Sequence, residues 1–63
     1  MKNNWSEPLI KMALAHRMAG LHACSGEWEP AKANLMLCAR LAVEAIEAMT
    51  VEERRREVLE ASK

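Results

Sequence analysis

Apolar residues recur along this chain at helical spacing. The longest such stretch is Ala31 to Met49, AKANLMLCARLAVEAIEAM, with no Gly or Pro inside. Ala, Leu, Met, Glu and Arg dominate it, the residues that lose least on entering a helix. At 100° per residue, Ala31, Leu35, Cys38, Ala42, Ala45, Ile46 and Met49 share one broad face. Leu37 and Leu41 lie to one side of that face and Met36 and Val43 to the other. Only Arg40, Glu44 and Glu47 form a consistent polar strip. The apolar arc is wider than one neighbouring helix can cover.

Upstream, Ser6 reads as an N-cap, with Glu7 in the first turn and Pro8 where its missing N–H has no partner. Helix 1 is expected over about 7–24. Ile10, Leu14, Met18 and Leu21 form one stripe, and Met12, Ala13, His16, Ala19, Gly20 and Ala23 a second, mostly small one. Ser25-Gly26 is the stop signal. A turn over 25–29 leads to Pro30 and helix 2 over about 30–49. So short a connection favours an antiparallel hairpin. In the register that follows, Leu14 faces Leu41, Met18 faces Leu37, Ile10 lies near Ile46, and Lys11 falls opposite Glu44. Thr50-Val-Glu-Glu is a capping-box pattern, predicting that helix 2 ends or bends near Met49 and Thr50 and that a third helix spans about 51–61. The alternative is one continuous helix, because nothing here forbids α geometry.

The expected fold is therefore all-α: one small helical domain over residues 1–63, an antiparallel helical hairpin plus a short third helix. Pairing as a homodimeric four-helix-type bundle would cover the surplus apolar surface. Its core and dimer interface would draw on Leu14, Met18, Leu35, Cys38, Leu41, Ala42, Ile46 and Met49. In length and expected architecture the chain resembles the small dimeric helical regulators of plasmid copy number. That resemblance is one of shape, and no site residue is carried over from it.

Composition sharpens this picture. At 63 residues, a lone domain buries only about 60% of its unfolded surface, so oligomerisation is a common remedy. Half of the residues are apolar, yet Tyr, Phe and Asp are absent. Nine basic groups balance nine acidic ones, so no long-range field draws the chain to nucleic acid or anionic lipid. The opening MKNNWSEPLIKMALAHRM has no uninterrupted apolar h-region, and no stretch approaches the ~18 apolar residues of a membrane span. The expected compartment is cytoplasmic, with Cys24 and Cys38 as reduced thiols.

Candidate chemistry is sparse. His16, His22, Cys24 and Cys38 are the only soft or borderline metal ligands, and none shows CxxC or HxxxH spacing. In the expected register Cys38 faces Arg17, and Cys24 lies roughly 10 Å from it along the axis, beyond disulfide reach. There is no Ser-His-acid set and no Gly-rich phosphate loop. No metal, cofactor or catalytic residue is expected, and the chain does not read as an enzyme. Arg54-Arg55-Arg56 is the only basic cluster, and Glu52, Glu53, Glu57 and Glu60 are spaced to neutralise it. Trp5 and Trp28, expected at opposite ends of the hairpin, are residue types enriched at binding hot spots.

The leading expectation is a small non-enzymatic regulator, adaptor or inhibitor, homodimeric and binding another protein. Trp5, Trp28 and Arg54 to Arg56 are its candidate partner contacts. Phage and mobile-element accessory factors are a class of this size that modulates host proteins. The alternative is a nucleic-acid-binding transcriptional or copy-number regulator using Arg54 to Arg56.

Overall fold

The computed structural model describes residues 4–62, and within them the fold is two α-helices with no strand. Helix α1 spans Ser6–Cys24 and helix α2 spans Trp28–Ala61. Ser6 is already helical. Trp5 takes the N-cap position and makes no side-chain capping bond, so the expected Ser6 cap is not formed. Pro8 falls in the first turn, where an absent N–H costs nothing.

The end of α1 is a complete Schellman motif. The Glu27 N–H donates to the His22 carbonyl at 2.8 Å and the Gly26 N–H to the Ala23 carbonyl at 3.0 Å. Gly26 holds φ at +74°, the left-handed conformation that this closure requires and that glycine adopts without a Cβ clash. His22 Nδ1 and Glu27 Oε1 lie 3.0 Å apart across the same loop, a polar contact where such motifs usually carry an apolar one. The turn is thereby shortened to residues 25–27. Trp28 and Glu29 open α2, and Pro30 stays within its first turn, where no hydrogen-bond donor is needed.

The expected third helix is not present. α2 runs unbroken for 34 residues through Thr50. The Thr50 hydroxyl donates to the Ile46 carbonyl at 2.8 Å, one turn back. That bond uses the group that would have capped a new helix. Glu52 pairs with Arg56 at 3.6 Å, and the Glu and Arg residues beyond Thr50 are good helix formers. Nothing there stops propagation, so the capping-box reading of Thr50 to Glu53 was a local pattern that the continuing helix overrode.

α1 packs along α2 in the opposite direction. Trp5 lies beside Met49 and Glu52, the Cys38 thiol meets the Met12 carbonyl at 3.5 Å, and His22 reaches Glu27. The contact is a narrow seam. On α1 it follows Trp5, Pro8, Met12, Ala15, Ala19 and His22, all buried or half-buried. On α2 it follows Ala31, Asn34, Cys38, Leu41, Ala45, Ala48 and Glu52, also buried or half-buried. Both rows step by alternate threes and fours, the spacing that keeps a seam facing a partner helix. Among the described residues, the buried ones are Ala15, Ala19, Ala31, Leu41 and Ala45. Four of these five are alanine, so the helices meet through methyl groups.

This differs from the expected core. Ile10, Leu14, Met18 and Leu21, the larger-residue stripe of helix 1, are exposed, Ile10 at 70% and Leu14 at 61%, while Met12 and Ala19 of the small stripe lie in the seam. Ile46 is 62% exposed, so Ile10 and Ile46 do not form a buried pair. Lys11 bonds Glu7 of its own helix at 3.4 Å, where an ion pair with Glu44 was expected. Cys38 reaches the Met12 carbonyl at 3.5 Å, where Arg17 was expected to face it. Both cysteines are free thiols.

Shape follows from these contacts. The molecule measures 56 × 19 × 10 Å, and its thinnest dimension is that of one α-helix with its side chains. The Cα radius of gyration is 16.0 Å, against about 11 Å for a globular chain of this length. The last turns of α2 extend past the start of α1 with no described element against them. No helix among the described residues is long and apolar enough to cross a membrane.

Two substitutions test this arrangement. Ala45→Leu places a bulky group at the most buried position of the seam, and should lower the unfolding free energy in a urea titration by about 1–3 kcal/mol. Thr50→Ala should leave helicity and stability nearly unchanged, whereas a true N-cap at Thr50 would lose about 1 kcal/mol.

Candidate functional site

A single layer of two helices has two open flanks, and both are apolar here. The first flank is a groove between Lys11, Leu14, Ala15 and Met18 of α1 and Asn34, Leu37, Arg40, Leu41 and Glu44 of α2. Leu41 and Ala15 form its buried floor. Leu14, Met18 and Leu37 stand along it, each exposed. Leu14, Leu41, Met18 and Leu37, expected as facing pairs, all line this groove, together with Lys11 and Glu44. Charged groups line its rim, so an occupant would contact both hydrocarbon and ionic groups.

On the opposite flank, Leu9, Met12, Ala13, His16 and Cys38 line a second hollow. Cys38 and Ala42 are half-buried at its edge, while Leu35, Ala39 and Ile46 are exposed. His16 is the one titratable imidazole here, and it is exposed. No Lys, Arg or Glu occurs among the residues that α2 turns to this side between Leu35 and Met49. The heptad spacing puts Leu35, Ala39, Ala42, Ile46 and Met49 on that side.

A third hollow lies at the far end. Trp5 is half-buried beside Met49, Glu52, Glu53, Arg56, Glu57 and Glu60. Trp28 stands at the turn end, 65% exposed. The two indoles are therefore separated by the length of the two-helix segment. Arg54, Arg55 and Arg56 are all exposed on the projecting part of α2. Arg56 Nε pairs with Glu52 at 3.6 Å, one turn apart on the same helix. Pairs so exposed to water are worth little to stability.

Of the expected interface residues, Leu41 is fully buried, Cys38 and Ala42 are half-buried, and Leu14, Met18, Leu35, Ile46 and Met49 are exposed. They divide between the two flanks instead of forming one core. Sequence reasoning passed over Leu9 and Ala39, which belong to the uncharged flank. The signal for them was the alternating three-and-four spacing, not side-chain size.

Chemistry beyond contact has little to build on. Among the described residues no three His, Cys, Asp or Glu side chains converge on a point that could hold a metal ion. The His22–Glu27 pair ties the turn. Comparison with protein families, with characterised proteins and with solved structures returned no match for this chain.

If the arginine triplet is only the solvated face of α2, Arg54→Ala, Arg55→Ala and Arg56→Ala together should shift the thermal midpoint by no more than a few degrees. A nucleic-acid reader would betray itself in a filter-binding titration at low salt, through affinity that falls steeply with added salt and vanishes in the triple variant.

Proposed function

We propose that this chain is a small non-enzymatic regulator, adaptor or inhibitor that acts by binding proteins, and that its working form is a homodimeric bundle of two helical hairpins. The observation that carries the reading is the exposed aliphatic surface on both sides of a one-layer fold. The chain exposes 5365 Å², whereas a compact monomer of 7.1 kDa exposes about 4,100 Å². The excess is about 1,300 Å², and a standard protein interface removes about 800 Å² per partner. Apolar patches of this extent in a small protein mark interaction surfaces.

Two flanks allow two kinds of contact. One serves a second copy, and the other remains for a foreign protein. Trp28 at the turn and Trp5 beside Arg56 are the aromatic anchors best placed to add affinity, since indole rings bury a large area at low entropic cost. The nucleic-acid alternative rests on the arginine triplet alone, and the glutamates around it oppose phosphate binding.

Light scattering on a sizing column at micromolar concentration tests the assembly. A mass of roughly 14 kDa, twice the 7.1 kDa of the chain, is expected for a closed two-fold dimer. A helical species that stays at the single-chain mass over that range would remove the dimer from the proposal.

A further inference from the structure

We infer that the second copy docks on the uncharged flank, α2 against α2 and antiparallel, with the two-fold axis passing between Arg40 and Leu41. The inference rests on the proposal of a homodimer and adds to it a face, an orientation and a register.

The argument begins with spacing. On that flank α2 presents Leu35, Ala39, Ala42, Ile46 and Met49, and the first four, separated by four, three and four residues, form the central row. The row reads large, small, small, large from either end. An isologous contact requires such self-complementarity, because each residue must suit the partner residue that its own symmetry mate meets. With the axis between Arg40 and Leu41, Ala39 lies over the partner's Ala42 and Leu35 over the partner's Ile46. The two alanine layers at the centre let the backbones approach closely. The aliphatic layers on either side then fill the wider space, in the layering of an antiparallel coiled coil.

α1 agrees with that axis. Met12 meets Cys38 across the seam, so Leu9 and Ala13 bracket the height of Arg40 and Leu41. Both belong to the hollow on this flank.

Charge points the same way. The other flank would have to bring Lys11, Arg40 and Glu44 out of water, and desolvating charges is costly unless each finds a partner. On the uncharged flank the first charges of α2 are Lys32 at one end and Glu53 at the other. In an antiparallel pair, the end carrying Lys32 lies against the end carrying the partner's Glu53. The signs are opposite at both ends of the interface. The charge-rimmed groove of Leu14, Met18 and Leu37 stays open to another protein.

The test is complementation between two full-length variants, read as solution mass with helicity monitored by circular dichroism. Ala39→Glu and Ala42→Lys each put a like-charged pair next to the axis, and each alone should fall from the dimer mass to the single-chain mass while remaining helical. Mixed one to one, they should regain the dimer mass, because the carboxylate introduced in one chain then meets the ammonium introduced in the other. Leu37→Glu, on the opposite flank, should leave the dimer intact. A wild-type chain that is already monomeric overturns the homodimer and this inference together. A dimer that survives Ala39→Glu and Ala42→Lys but dissolves with Leu37→Glu keeps the homodimer and overturns the face. A mixture that stays monomeric overturns the register. Should either variant lose its helicity, disulfide trapping decides instead. In a background of Cys24→Ser and Cys38→Ser, a chain with Ala39→Cys should cross-link under oxidation to one with Ala42→Cys, and the absence of that product overturns the pairing.

Discussion

The close approach of α1 and α2 through alanine governs the rest of the molecule. Ala15, Ala19, Ala31 and Ala45 occupy most of the buried positions, and a methyl group removes little apolar area from water. At about 25 cal/mol per Å² of apolar surface, such a seam gains far less than one built from leucine. It compensates by proximity, since small side chains let the helix surfaces touch along their length. The consequence is geometric. Two helices in close contact make a layer 10 Å thick, and every large aliphatic side chain that is not in the seam must stand on a flank.

That division explains which parts of the structure were legible in the sequence. The two-helix organisation was, because Gly26 and the prolines at 8 and 30 punctuate the chain at positions with one physical meaning each. The excess of apolar surface was legible too, from the width of the arc on α2. The seam itself was not. Helix 1 offered two stripes, and nothing in the spacing said that α2 would take the small one, with Met12 and Ala19, and leave Ile10, Leu14, Met18 and Leu21 outside. Size predicts what gains most from burial by some neighbour. It does not say that the neighbour belongs to the same chain.

Thr50 illustrates a second limit. A threonine followed three residues later by glutamate fits a helix start, but the same hydroxyl can bond the carbonyl one turn back within a helix. Which bond forms depends on whether the preceding helix has a reason to stop. Gly and Pro are absent from Ala31 to Lys63, so α2 had none, and the capping pattern carried no information about a boundary. The projecting end of α2 then places Arg54 to Arg56 beyond the two-helix layer, among Glu52, Glu53, Glu57 and Glu60. This region has almost no apolar contact, which makes it the part of the fold least supported by packing.

The two flanks differ in a way that size alone would have hidden. Both carry large aliphatic groups, but one is bordered by Lys11, Arg40 and Glu44, and the other is uncharged from Leu35 to Met49. A charged rim favours a partner whose own charges complement it, and penalises partners whose charges do not. An uncharged face with a symmetric pattern of large and small residues has no such requirement and suits a copy of itself. The alanine seam thus leaves a helical layer whose two faces differ in charge, and our proposal assigns the uncharged one to a second copy and the charge-rimmed one to another protein.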